Sequence, residues 1–183
     1  RDVSVALGEI QNAYFLTATT EFAWVYRQPG VVRGQGTGYG EELRTAFEAM
    51  REDGLGSDHV AWRVLPSAYL DEAGDGRAYA AARREVARFE RHLADLFEDV
   101  DLLLLPTIRD VPPEYGRMDS STELMNLLGN TGPFNLTGMP GVSVPVGRVD
   151  DLPVGAQVVA PVFDDARALQ GARLVESVAA FEA

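Results

Sequence analysis

The chain contains neither cysteine nor lysine. Without cysteine there is no disulfide, no thiolate nucleophile and no Cys-type metal site. Without lysine, all 16 basic residues are arginine, and arginine does not deprotonate near neutrality. A mechanism that needs a neutral amine as base or Schiff-base former therefore cannot be completed by these 183 residues alone. Histidine is scarce too: His59 and His92 are the only two, so the residue type best suited to acid–base work near neutrality is nearly absent. His92 stands among Glu90, Arg91 and Asp95 and reads as a surface residue; His59 follows Ser57-Asp58 and reads as part of a helix start. No apolar run approaches the roughly 20 residues that span a bilayer. Arg1-Asp2-Val3-Ser4 has none of the features of a signal peptide. The missing initial Met leads us to expect a processed or truncated product. The net charge of −12, with acids spread along the chain rather than gathered in a tail, offers no basic stripe for a phosphate backbone. We therefore expect no nucleic-acid and no membrane partner.

What the chain does have is concentrated between Glu98 and Pro161. Short Val- and Leu-rich runs bounded by Gly and Pro lie at 101–105, 141–146 and 154–160. They read as strands buried on both faces, inside an α/β sheet that helices cover on both sides. Helical spacing is clear over 7–27, ended by Gln28-Pro-Gly30. A loop with four glycines follows at 31–40. It has no P-loop lysine and no convincing strand before it, so phosphate binding is not expected. Further helices are predicted over Glu41–Glu52, after Ser57-Asp58 (with Val60, Val64, Leu65 and Tyr69 on its apolar face), and over Arg77–Glu98 with a stripe of Tyr79, Val86, Phe89, Leu93, Leu96 and Phe97. Ser120-Ser-Thr-Glu123 has the form of a helix N-cap. A Gly/Asn/Thr-rich turn spans 129–133. A last helix begins after Asp164-Asp165 and carries Leu169, Ala172, Leu174, Val175 and Val178. Three strands cannot bury so much helical apolar surface, and a bare sheet edge leaves backbone groups unpaired. The expectation is one portion, residues 1–183, of a single larger domain completed by strands outside the chain.

Asp101–Thr107, Pro133-Phe-Asn-Leu-Thr-Gly-Met-Pro-Gly-Val-Ser-Val-Pro-Val-Gly147 and Leu152-Pro-Val-Gly-Ala-Gln-Val-Val-Ala-Pro-Val-Phe-Asp164 together resemble the carboxy-terminal part of the amidase signature family. The Arg63-Val-Leu helix and the Arg-rich helix 77–98 fit the same family. The resemblance covers essentially the whole chain. It implies a single α/β domain with a mixed central sheet covered by helices on both faces. It implies hydrolysis or transfer of carboxamide groups by a Ser–cis-Ser–Lys triad, with no cofactor and no metal. In that chemistry a neutral Lys acts as base through a bridging Ser, a second Ser attacks the carbonyl, and backbone amides hold the oxyanion. The family's Lys and its Gly-Gly-Ser-Ser-Gly-Gly-Ser-type segment belong to the amino-terminal half and have no counterpart here. Ser120-Ser121, flanked by Asp119 and Thr122, reads as a cap, so no catalytic residue is assigned.

What the resemblance does assign is a pocket wall: Thr131 and Phe134, then Leu128. Arg63 stands where some members use Arg on a substrate carboxylate, although a helix-surface ion pair is the preferred reading. Asn135 is expected to tie the turn together. The implied partners are an amino-terminal amidase chain carrying the Ser-Ser-Lys residues and a small amide substrate, in a cytoplasmic enzyme with room for a homodimer of the assembled form. Two alternatives stay open. One is the amidase subunit of a tRNA-dependent amidotransferase. Leu128 speaks against it, because those subunits place an acidic residue near that position to recognise the amino-acid head group. The other is a non-catalytic acidic scaffold or binding module.

Overall fold

The computed structural model describes residues 1–27, 58–114 and 121–179, with isolated positions between 45 and 53; side chains at 25–27, 58–64, 121 and 122 lie outside that set. The glycine loop at 31–40 also lies outside it, as does nearly all of the helix expected over 41–52. The elements are α1 (Leu7–Arg27), α2 (Asp58–Ala73), α3 (Arg77–Asp99), β1 (Leu103–Pro106), α4 (Ser121–Leu128), α5 (Gly132–Thr137), β2 (Gly141–Val149), β3 (Leu152–Val159) and α6 (Asp165–Val178). They fall into two units, Phe15–Arg84 on the one hand and Arg1–Tyr14 with Glu85–Ala183 on the other.

Among the described residues of the unit Phe15–Arg84, hydroxyl-bearing side chains are prominent in the interior. Thr17, Thr19, Thr20 and Ser67 are all buried, and the Thr19 and Ser67 hydroxyls hydrogen-bond each other. The Thr19 hydroxyl also donates to the Phe15 carbonyl at 2.8 Å, which removes a competing need for water. The Trp24 indole N–H donates to Asp71 at 2.8 Å and its ring tilts against Tyr79 at 4.7 Å. Of the apolar face expected for α2, Leu65 and Tyr69 are exposed, and the side chains of Val60 and Val64 lie outside the described residues.

The other unit holds the sheet. Its three strands are antiparallel in the order β1-β3-β2, with Leu103 and Gly141 both opposite Val159 and Val142 opposite Val158. β2 turns into β3 through Asp150 and Asp151, both at positive φ (49° and 64°). Two such residues form the tight turn whose twist suits a two-residue hairpin. Helix α6 packs on the face that carries Val144 and Val158; Ala172 joins that core with Leu102 and Val175 around it. The helix begins where Asp164 accepts a hydrogen bond from the Arg167 N–H at 3.3 Å, as its position suggested.

Among the described residues Leu104 on β1 is 63% exposed. The buried side of α6 is Ala168, Gly171 and Ala172, while Leu169, Leu174 and Val178 point outward. Close approach to the sheet selects small residues: a Cβ on Gly171 would lie 2.5 Å from Leu102 Cδ1 and 3.0 Å from Val158 Cγ1. Gly171→Val should therefore destabilise by about 1–3 kcal/mol through overpacking. A melting curve checks this, and an unchanged or raised midpoint would mean that the helix can shift away from the sheet.

Helix α3 contributes Val86, Phe89 and Leu93, all buried, from the predicted stripe. His92 is exposed, as expected.

Candidate substrate-bordering turn

Three pieces of chain meet beside the sheet: the end of β1, the turn 129–131 and the short helix α5. The Gly-Pro-Phe-Asn run reads locally as a turn, yet it continues into one and a half helical turns. Pro133 sits in the first turn of α5, where its missing N–H costs nothing. Gly138 closes the helix at φ 69°: its N–H bonds to the Asn135 carbonyl at 3.3 Å and that of Met139 to the Phe134 carbonyl at 3.0 Å. Only glycine enters that backbone conformation without a Cβ penalty. Gly132 is fixed by space, since a Cβ there would lie 2.7 Å from the Tyr14 ring.

The centre of this region is Asn130, which is 7% exposed. Its Nδ2 donates to the Pro106 carbonyl at 2.9 Å and its Oδ1 accepts from Arg109 Nε at 3.1 Å. Its own carbonyl accepts from the buried Gln157 side chain at 3.2 Å. One residue thus ties the end of β1, the loop after it and the middle of β3 to the turn. Each bond satisfies a polar atom that would otherwise be buried at a cost of about 1–3 kcal/mol. Beside it the hydroxyls of Thr107 and Ser143 meet at 2.7 Å across Gly155, where a Cβ would crowd both at 2.9 Å.

Of the residues expected to line a pocket, Leu128, Thr131 and Phe134 fall within one short segment at the end of α4 and the start of α5. Leu128 and Thr131 are half-buried. Thr131 stands at the N-cap position of α5 but makes no side-chain cap bond, so that hydroxyl is not committed to the helix end. Phe134 is 2% exposed and lines a cleft of about 540 Å³ with Val3, Val5, Leu103 and Leu105. The Arg63 side chain lies outside the described residues, as do Ser120 and the side chain of Ser121. Asn135 is exposed. The tie expected of it is made by Asn130, whose side chain points into the sheet end rather than to solvent.

Neutral amides and hydroxyls with these partners can hold backbone in place. They do not activate a nucleophile, for neither Thr107 nor Ser143 has a base among its hydrogen-bond partners given above. Among the described residues no group of three or more His, Asp and Glu side chains could hold a metal ion, and no helix is long and apolar enough to cross a membrane.

A small antiparallel sheet packed by helices defines a mixed α/β fold. The amidase family profile matches residues 5–169, and the chain belongs to the amidase signature family. It is 34% identical over 180 residues to a glutamyl-tRNA(Gln) amidotransferase subunit of Halobacterium salinarum, covering 95% of this chain and 42% of that protein. It is 36% identical over 175 residues to the corresponding amidotransferase protein of a Synechococcus strain, covering 93% and 36%. Among solved structures, a crystal structure of an amidase superposes with a TM-score of 0.71 at 26% identity, over 95% of this chain and 36% of that one. The structure of 6-aminohexanoate cyclic dimer hydrolase shares the fold, with a TM-score of 0.65 at 22% identity, over 99% and 38%. The chain thus spans roughly two fifths of the length of these relatives.

Proposed function

We propose that this chain is the carboxy-terminal portion of an amidase-type hydrolase that cleaves carboxamide C–N bonds. It supplies sheet strands and a pocket wall built from Leu128, Thr131 and Phe134, with Arg63 as a candidate for a substrate carboxylate. The Ser–cis-Ser–Lys machinery comes from an amino-terminal amidase segment, and the assembled enzyme acts in the cytoplasm without a cofactor, with room to form a homodimer. The observation that carries this reading is the family match over residues 5–169 in a chain with no lysine at all. The family's base is a neutral amine, and no side chain here can become one at working pH.

The expected result is that residues 1–183 alone turn over no aryl or aliphatic amide, and that activity returns on assembly with a chain bearing the Gly-Gly-Ser-Ser segment and its lysine. Turnover by the isolated chain, blocked by a serine-directed reagent, would overturn the proposal.

A second reading has a specific observation behind it: the Halobacterium and Synechococcus relatives are glutamyl-tRNA(Gln) amidotransferase subunits. On that reading the amide donor is glutamine and the acceptor a tRNA-linked glutamate. Leu128, where the resemblance leads one to look for an acidic residue, favours a less polar amide. Comparing kcat/KM of the assembled enzyme for glutamine and for aryl amides separates the two.

A further inference from the structure

Arg109 is absent from the sequence-based site, yet its guanidinium makes three contacts around the turn. Nε donates to Asn130 Oδ1 at 3.1 Å and one terminal nitrogen to the Gly129 carbonyl at 3.2 Å. The other terminal nitrogen reaches Gln11 Oε1 at 3.4 Å, and Gln11 in turn donates to the Met125 carbonyl of α4 at 2.5 Å. Gly129 makes room for the group: a Cβ there would lie 2.5 Å from Arg109 Cζ. The three acceptors are neutral, so the fork is engaged by its shape rather than by a carboxylate. From both sides it fixes the two residues that precede Thr131. We infer that Arg109 is a positioning residue, which acts through Gly129 and Asn130 to hold the Thr131 turn in its substrate-bordering geometry. The inference rests on the reading above that this turn borders the substrate.

The geometry distinguishes arginine from lysine. A planar fork meets three separated acceptors at once, whereas an ammonium is a point charge that cannot. The test uses the enzyme assembled from this chain and its amino-terminal segment, as wild type, Arg109→Ala and Arg109→Lys. Arg109→Ala should raise KM for an amide substrate about tenfold with kcat within about threefold, the pattern of lost binding geometry rather than lost chemistry. Millimolar guanidinium should restore KM and equimolar ammonium should not; Arg109→Lys should stay close to Arg109→Ala. Amide hydrogen exchange should quicken at 129–131 and stay unchanged in β3. An active Arg109→Ala enzyme with unaltered KM would overturn the inference. So would a raised KM that guanidinium does not restore and that comes with faster exchange across the sheet, since that describes general loosening. If the wild-type assembly hydrolyses no amide, the proposed function falls instead, and exchange at 129–131 decides the clamp: quickening reversed by guanidinium supports it, no quickening overturns it.

Discussion

Phe134→Ala should lower stability by about 3–5 kcal/mol, the cost of emptying a buried phenylalanine site. Phe134 is 2% exposed in the middle of α5, a helix only six residues long. A helix that short is far below the length that is stable by itself, so it depends on tertiary packing of this kind. The same ring lines the cleft bounded by Leu103 and Leu105, which is how a residue can serve core and pocket together. Phe134→Leu keeps much of the volume and separates the two roles. In the assembled enzyme it should leave the melting temperature close to wild type while shifting the ranking of acyl chain lengths by about 1–3 kcal/mol in kcat/KM. A ranking untouched by Phe134→Leu, together with the large fall for Phe134→Ala, would confine Phe134 to the core.

Leu93→Ala should cost about 2–5 kcal/mol. Leu93 is 0% exposed and continues the buried line of Val86 and Phe89 along α3. These positions recur at the three- and four-residue spacing that keeps side chains on one side of a helix. The opposite side carries the Arg88–Glu85 pair in solvent, and exposed pairs of that kind are worth about 0–1 kcal/mol. The contrast gives the control: Arg88→Ala should move the melting temperature little, and Leu93→Ala should move it by about 2–4 °C for each kcal/mol lost. Equal effects from the two would mean that α3 is not held by its apolar side.

Periodicity and end signals placed α1 over Leu7–Arg27, with the stop expected at Gln28-Pro-Gly30 outside the described residues. They also located α3 and the start of α6 at Asp165 after Asp164. They failed at α5, because Gly132-Pro133 and Gly138 are turn residues by composition and a six-residue helix has no period to read. Of the apolar residues named on α6, Ala172 and Val175 join the core while Leu169, Leu174 and Val178 are exposed. At Gly171 the sheet lies so close that a Cβ would meet Leu102 at 2.5 Å. For the turn, the family motif led to Leu128, Thr131 and Phe134 but not to Asn130, Gln157 or Arg109. Their roles come from pairings between β1, β3 and the turn, which no local pattern of residues announces. The signal that was available was a lone glutamine inside the Val-rich run 154–160: a polar side chain in a buried strand needs a partner, and that partner turned out to be Asn130.

The bond between the Asn130 side chain and the Pro106 carbonyl also bears on how such chains can diverge. It pins together the two ends of the segment between β1 and the turn, so the sheet does not register how long that segment is. Closure entropy grows only as the logarithm of loop length, about 0.6 kcal/mol for each doubling. Residues 111–114 are accordingly a natural insertion site, where a lengthened loop leaves both the sheet and the turn in place.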